Sequence, residues 1–358
     1  MTRLALVMIV KNEERSLARC LESVRKHVDK IIILDTGSTD RTIEIAQSFG
    51  AEIHHWEWQD DFAAARNAAL AHSDATWNLI LDADEWLESG AEALSAKNLP
   101  PLRVRVPNFV GCVRLTNARR SEDDPDKRIF LPRVLPRGVR YEGRIHEQPV
   151  SGLPRLLLPI VFGHDGYTAE QIERKKGRNE ALLRAELEIN PEDSYLWYQL
   201  GRELYVHGEP QDAADCMVRA YNLCPLDSAV RLAIVVYAIL LLRRADRYHE
   251  ALALVDAEQD NWEEAPDFFF AVAELYLEWS YLNPEIARDQ LLPVVEAAWL
   301  KCLQIGERPG LNSSIEGSGG YRAAYNLANL YKGLSLHEEA AKFEQMSLDL
   351  RQAMKLAA

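Results

Sequence analysis

Asp82, Asp84 and Glu85 crowd into four positions at the end of an apolar run, in the stretch WNLILDADEW (77–86). Carboxylates this close repel one another, and in a dry site one of them would have to take up a proton. A hard divalent cation removes the conflict. Mg²⁺ in particular commonly sits on one or two carboxylates together with substrate phosphates. A solvated acidic turn is the alternative reading of the same residues.

Further along the chain, Arg66 and Asn67 stand in a segment otherwise rich in alanine, DFAAARNAAL. A guanidinium offers a planar fork of donors suited to phosphate. His146-Glu147 end a β-like stretch within RVLPRGVRYEGRIHEQPV (133–150), and His164-Asp165 stand in FGHDGYT. Between Arg103 and Arg144 there are eleven Lys or Arg against five Asp or Glu, a local excess of +6 in a chain whose formal net charge is −14. Such a field would draw a phosphorylated ligand toward a site. A scattered basic surface is the alternative.

The elements that would position these residues alternate. Leu4–Val10, Lys30–Asp35, the segment 51–58 and Trp77–Leu81 read as strands, with helical spacing between them at Leu17, Cys20, Leu21, Val24 and Val28. Ser38, Thr39 and Asp40 supply capping chemistry before the second helix, and Gly50 supplies its stop. Strand–helix alternation implies a parallel sheet covered on both faces. Ligands of such sheets bind beyond the C-terminal ends of the strands. Lys11-Asn12, Asp35 and the Asp82/Asp84 pair all fall on that rim.

The second half has another period. Pro191 and Pro225 are 34 residues apart; with Ser194 as position 1, Trp197, Leu200, Gly201, Ala213 and Ala220 fall at positions 4, 7, 8, 20 and 27. The spacing resembles the tetratricopeptide repeat. A weaker copy spans 321–343, and the segments 228–261 and 267–305 read as helical with insertions. Three to four helical pairs are expected from about residue 168. Such arrays bind extended peptides, scaffold partners or form dimers, so a homodimer through the repeats is one expectation.

Length and composition set limits. A chain of 358 residues calls for two domains. Its acidic balance argues against general nucleic-acid binding. The longest apolar run, Leu232–Leu242, is too short for a bilayer, so no integral membrane segment is expected. Five scattered Cys without a Cys-x-x-Cys pair fit a reducing, cytoplasmic setting.

Taken in order, VKNEERSL, IIILDTGSTDRTIEIA, DFAAARNAAL and ILDADEW resemble the family-2 inverting glycosyltransferases over residues 3 to about 165. With the repeats, the chain resembles bacterial peptide or protein S- or O-glycosyltransferases. The resemblance implies an α/β GT-A domain (1–167), Rossmann-like with a mostly parallel sheet, and an all-α tetratricopeptide-like domain (168–358). It implies a metal-dependent hexosyltransferase using a nucleotide sugar, UDP-linked, with Mg²⁺ or Mn²⁺. Lys11, Asn12, Glu13, Asp35, Ser38, Arg66, Asn67 and Asp82 would bind the donor. Asp84, Asp82 and His164 would hold the metal, with Asp165 able to replace His164. Glu147 would serve as the base that takes the acceptor proton, with His146 beside it; Asp123 or Asp124 is the alternative base. The acceptor would be a peptide or protein. A lipid-linked or cell-surface glycan, or a non-catalytic repeat-based interaction protein, are the other readings.

Overall fold

The computed structural model describes residues 3–94, 108–117, 129–165, 177–308 and 315–357. Among these, residues up to Leu182 form one compact unit and residues from Leu183 onward form another. The expected boundary at 167–168 lies outside the described residues.

The first unit is built on an eight-stranded sheet in the order β3-β2-β1-β4-β7-β6-β10-β5. Its strands are β1 (Leu4–Val10), β2 (Lys30–Asp35), β3 (Glu52–His55), β4 (Trp77–Ile80), β5 (Glu85–Ser89), β6 (Val110–Asn117), β7 (Ile129–Pro136) and β10 (Arg155–His164). A separate hairpin pairs β8 (Arg140–Glu142) with β9 (Gln148–Val150). The strands β3, β2, β1 and β4 run parallel, as strand–helix alternation requires. Beyond β4 the sheet becomes mixed. β7 runs antiparallel to both β4 and β6, β10 parallel to β6, and β5 antiparallel to β10.

Strand β1 shows why its sequence is apolar without alternation. Leu4, Leu6, Met8 and Val10 pack with α1 (Leu17–Val24), through Leu17, Cys20, Leu21 and Val24. Ala5 and Val7 point the other way and pack with Ala63, Ala65, Ala69 and Leu70 of α3 (Phe62–Ala71). Successive strand side chains face opposite sides, so a sheet covered on both sides needs apolar residues at every position. The alanines of α3 let that helix lie close to the sheet. Asp61 caps it by accepting from the Ala64 N–H at 2.8 Å.

The second unit holds four helical pairs among the described residues: Ser194–Val206 with Pro210–Leu223, Arg231–Arg244 with Tyr248–Glu258, Pro266–Leu282 with Leu292–Ile305, and Tyr321–Gly333 with His337–Ala357. Ser194, taken as repeat position 1, is the first residue of its helix. Gly201 allows the close approach within the first pair: a Cβ there would stand 3.0 Å from the Ala213 carbonyl oxygen. The insertion expected in the third pair is a π-helical turn, Ala287–Leu291. The apolar run Leu232–Leu242 is a mostly buried helix interior, and no described helix is long and apolar enough to cross a membrane.

Candidate active site

The carboxylate cluster occupies the tight turn between β4 and β5. The Glu85 N–H donates to the Asp82 carbonyl at 3.1 Å, and the Asp82 N–H donates to Glu85 Oε2 at 3.1 Å. The turn therefore closes on itself, with Glu85 only 1% exposed.

Two guanidiniums grip Asp82. Arg66, from α3, donates to Oδ1 at 2.7 Å; Arg133, from β7, donates to Oδ2 at 2.8 Å. Burial works against the charge on Asp82, but the two cations outweigh it and hold the carboxyl well below the usual range. Arg66 also pairs through Nε with Glu147, and Arg133 pairs with Glu85. Burial pushes Glu85 up to about 7; the Asp82 charge adds to the rise, while Arg133 opposes it. The Arg66 Nη1 and the Tyr141 hydroxyl are buried without a hydrogen-bond partner, and the Arg66 guanidinium lies over the Tyr141 ring at 5.5 Å. Burial raises the Tyr141 phenol to about 12, so it remains a donor at neutral pH.

The end of β10 returns to this turn. His164 pairs with Glu85 across the β10–β5 ladder, and its Nε2 stands 3.4 Å from Asp84 Oδ2. An imidazole nitrogen beside a carboxylate oxygen is a donor pair that suits Mn²⁺. The set Asp82, Asp84 and His164 expected from the sequence is not assembled as three. Asp82 turns both oxygens to arginines, and among the described residues no three His, Cys, Asp or Glu side chains gather as a metal cluster. Asp165, the expected substitute for His164, is committed elsewhere. It accepts from Arg15 at 3.0 Å and from Arg19 at 2.5 Å; burial opposes its charge, but those bonds bring it below the usual carboxylate range. Arg19 in turn stacks on Trp86 at 3.8 Å. Gly163 leaves room for that indole, since a Cβ there would lie 2.4 Å from the ring.

The remaining sequence-selected residues divide by what they touch. Asp35, 3% exposed at the end of β2, accepts from the Gly37 and Ser38 N–H groups at 3.1 Å, with His55 Nδ1 at 3.6 Å. Ser38 Oγ accepts from the Asn12 N–H at 3.0 Å, Asn12 Oδ1 accepts from the Thr39 N–H at 2.8 Å, and Glu13 accepts from the Ser16 hydroxyl at 2.9 Å. The two Asn12 bonds sew the loop after β1 to the loop after β2, while the Glu13–Ser16 bond stays within the first loop. Lys11 is exposed at the same rim. The Asn67 amide exchanges two 2.9 Å bonds with the Tyr141 backbone and ties α3 to β8.

His146 and Glu147 do not end a strand. They lie in the turn between β8 and β9, where Gly143 and His146 take positive φ values of 91° and 52°. That turn is fixed to α3 by the Phe62 N–H donating to the Arg144 carbonyl at 2.8 Å, which places Glu147 on Arg66. Asp123 and Asp124, and much of the basic segment from Arg103, lie outside the described residues.

Sequence reasoning missed Arg133 and left Glu85 unassigned. The available signal was a lone Arg inside the apolar strand run IFLPRVLP, 8% exposed once folded. A buried guanidinium needs a carboxylate partner, and the only question was which.

Residues 5–93 match the family model described as Glycosyl transferase family 2. A TPR repeat-containing protein of Synechococcus elongatus is 32% identical over 275 residues, covering 70% of this chain and 66% of that protein. The SPbeta prophage-derived glycosyltransferase SunS of Bacillus subtilis is 27% identical over 223 residues, covering 60% of this chain and 52% of that protein. The solved structure of S. aureus TarS 1-349 in complex with UDP-GlcNAc is 12% identical with a TM-score of 0.40, covering 79% of this chain and 92% of that one. The chain spans between about half and two thirds of the length of these two curated relatives. With the site at the strand ends and four helical pairs behind it in sequence, residues 5–93 carry a glycosyl transferase family 2 match, and a tetratricopeptide-like helical region follows it.

Proposed function

We propose that the chain is an inverting, metal-dependent hexosyltransferase that moves a sugar from a UDP-sugar to a peptide or protein acceptor. The observation that carries this reading is the meeting of Asp84 and His164 at the same turn where Asp82 holds Arg66 and Arg133. Asp84 and His164 would hold Mg²⁺ or Mn²⁺, which when bound neutralises charge on the departing nucleoside diphosphate. Arg66 carries a buried donor without a partner, Nη1, available to a phosphate oxygen. Asp35, at the end of β2, accepts from the base. Glu147 takes the proton of the attacking acceptor group. The helical pairs bind the acceptor chain or a second copy, and the enzyme works in the cytoplasm.

Titration of UDP into the protein by calorimetry, with Mn²⁺ and with EDTA, tests the reading on wild type and Asp84→Asn. The expected result is metal-dependent binding that Asp84→Asn abolishes. Binding of GDP or TDP in place of UDP keeps the transferase and changes its donor. No nucleotide binding under any condition overturns the enzymatic reading and leaves a repeat-based interaction protein.

A further inference from the structure

We propose that Arg133 is a positioning residue of the donor site, acting on the bound nucleotide through Asp82; the inference rests on the transferase reading above. No motif in the sequence marks it. Its position in β7 is flanked by apolar residues on both sides, and Val134 and Leu135 next to it are fully buried. A guanidinium there loses its hydration, and its Nε is buried with no partner. Replacing a buried ion pair with apolar residues of similar volume is often neutral or stabilising. Stability alone therefore gives no reason to keep an arginine at this point of the strand.

What Arg133 does hold is specific. Its Nη2 donates to Asp82 Oδ2 at 2.8 Å and to Glu85 Oε1, the two ends of the turn that carries Asp84. Asp82 has one oxygen on Arg133 and the other on Arg66. The two guanidiniums come from different elements, β7 and α3, so the carboxylate is fixed from two sides. Arg66 keeps a spare donor at the tip of its guanidinium, Nη1, and its direction is set by Asp82 on Nη2 and Glu147 on Nε. Without Arg133, Asp82 would be free to rotate about its remaining bond, and Arg66 would lose its fixed counter-group. The charge balance would also change. Arg66 alone would face the Asp82 and Glu147 carboxylates, a field less favourable to an incoming diphosphate.

The test measures UDP affinity by calorimetry in Mn²⁺, with the thermal unfolding midpoint of each variant taken alongside. Arg133→Met is expected to weaken UDP binding by about tenfold or more, the scale of one lost charge-assisted interaction. In an Asp82→Asn background the same substitution is expected to change affinity by less than about twofold, because the path through Asp82 is already cut. In a Glu85→Gln background the roughly tenfold loss should persist. Arg133→Lys keeps the charge but not the planar fork, and should recover only part of the affinity. If Arg133→Met does not fold, Arg133→Lys carries the test, with a loss of about threefold or more expected.

An affinity for UDP that Arg133→Met, or Arg133→Lys in its place, leaves unchanged while the unfolding midpoint falls makes Arg133 a structural residue and overturns the inference. A full loss that persists in the Asp82→Asn background overturns the route through Asp82. If wild type binds no nucleotide, the transferase reading itself fails, and this inference with it. Binding by wild type that the variants leave intact sinks the inference alone.

Discussion

Each unit contains a buried arginine paired with a buried glutamate, and the two glutamates are shifted in opposite directions. In the helical unit Arg231, 6% exposed, pairs with Glu258, 1% exposed. In the sheet unit Arg133, 8% exposed, pairs with Glu85, 1% exposed. Glu258 also accepts from Trp262 Nε1 at 2.8 Å and Asn261 Nδ2 at 3.3 Å, while Arg231 Nη1 donates to the Tyr221 and Cys224 carbonyls. Burial disfavours the Glu258 charge, yet the donors around it hold its carboxyl below the usual range. Glu85 must share one guanidinium with Asp82, and burial beside that second charge drives it up. The first pair has enough donors and serves the fold. In the second, two carboxylates share one guanidinium nitrogen, and that crowding of charge fits a site whose groups meet a ligand.

The largest test of this contrast removes the buried cation of the helical unit. Arg231→Met strands Glu258 and should cost about 3–5 kcal/mol in the unfolding transition of the helical unit. UDP binding of the folded variant should stay at the wild-type level in calorimetry. Loss of binding there would erase the distinction between a fold pair and a site pair.

A second pair of changes reads pH. Glu85 has a folded-state value above its ordinary 4.5, so its contribution to stability is complete below about 4.5 and is lost as pH rises through about 7. Glu258 lies below its ordinary 4.5, so its contribution is present above that value and is lost as pH falls through the depressed one. Unfolding midpoints measured from pH 3 to 8 should therefore lose their alkaline decline in Glu85→Gln. Glu258→Gln should instead lose part of the acid decline and be weaker at neutral pH. A shift of one pKa unit corresponds to about 1.4 kcal/mol. Equal pH profiles for the two variants would show that the pairs do not differ.

The smallest expected effects concern two helix caps. Asp61 caps α3, and Asp193 caps Ser194–Val206 by accepting from the Tyr195 and Leu196 N–H groups. Each change to Ala should cost about 1 kcal/mol of stability by denaturant titration. Asp61→Ala should also weaken UDP binding, because α3 carries Arg66; Asp193→Ala should not.

The parts of this fold visible in the sequence are those that local physics encodes. β1 and β2 are continuous apolar runs bounded by polar turns, and their observed limits coincide with those runs. The repeat phase set by Ser194, Gly201 and Ala213 follows from small residues at a helix–helix contact. Long-range pairing is not visible in the same way. The antiparallel insertion of β7 between β4 and β6 brings Arg133 to Asp82 across 51 positions of sequence, and no local periodicity reports it. The Asn67 amide meets the Tyr141 backbone from 74 positions away, a pairing that no local pattern reports. His164 is expected from the family resemblance and not from a local pattern, and its neighbour in the fold, Asp84, is likewise distant in sequence.

The five cysteines, at 0–7% exposure, are thiols outside any disulfide, shielded by the fold in which they sit. Cys20 and Cys112 lie in the sheet unit; Cys216, Cys224 and Cys302 lie in the helical unit. Alkylation of these sulfurs requires each unit to open, so the rate at which a maleimide reaches each one is a clock for its local unfolding. Peptide mapping of the labelled chain would time the two units separately in a single tube. The same shielding keeps the folded chain from consuming thiol reagents, so a thiol-bearing acceptor peptide could be titrated in its presence.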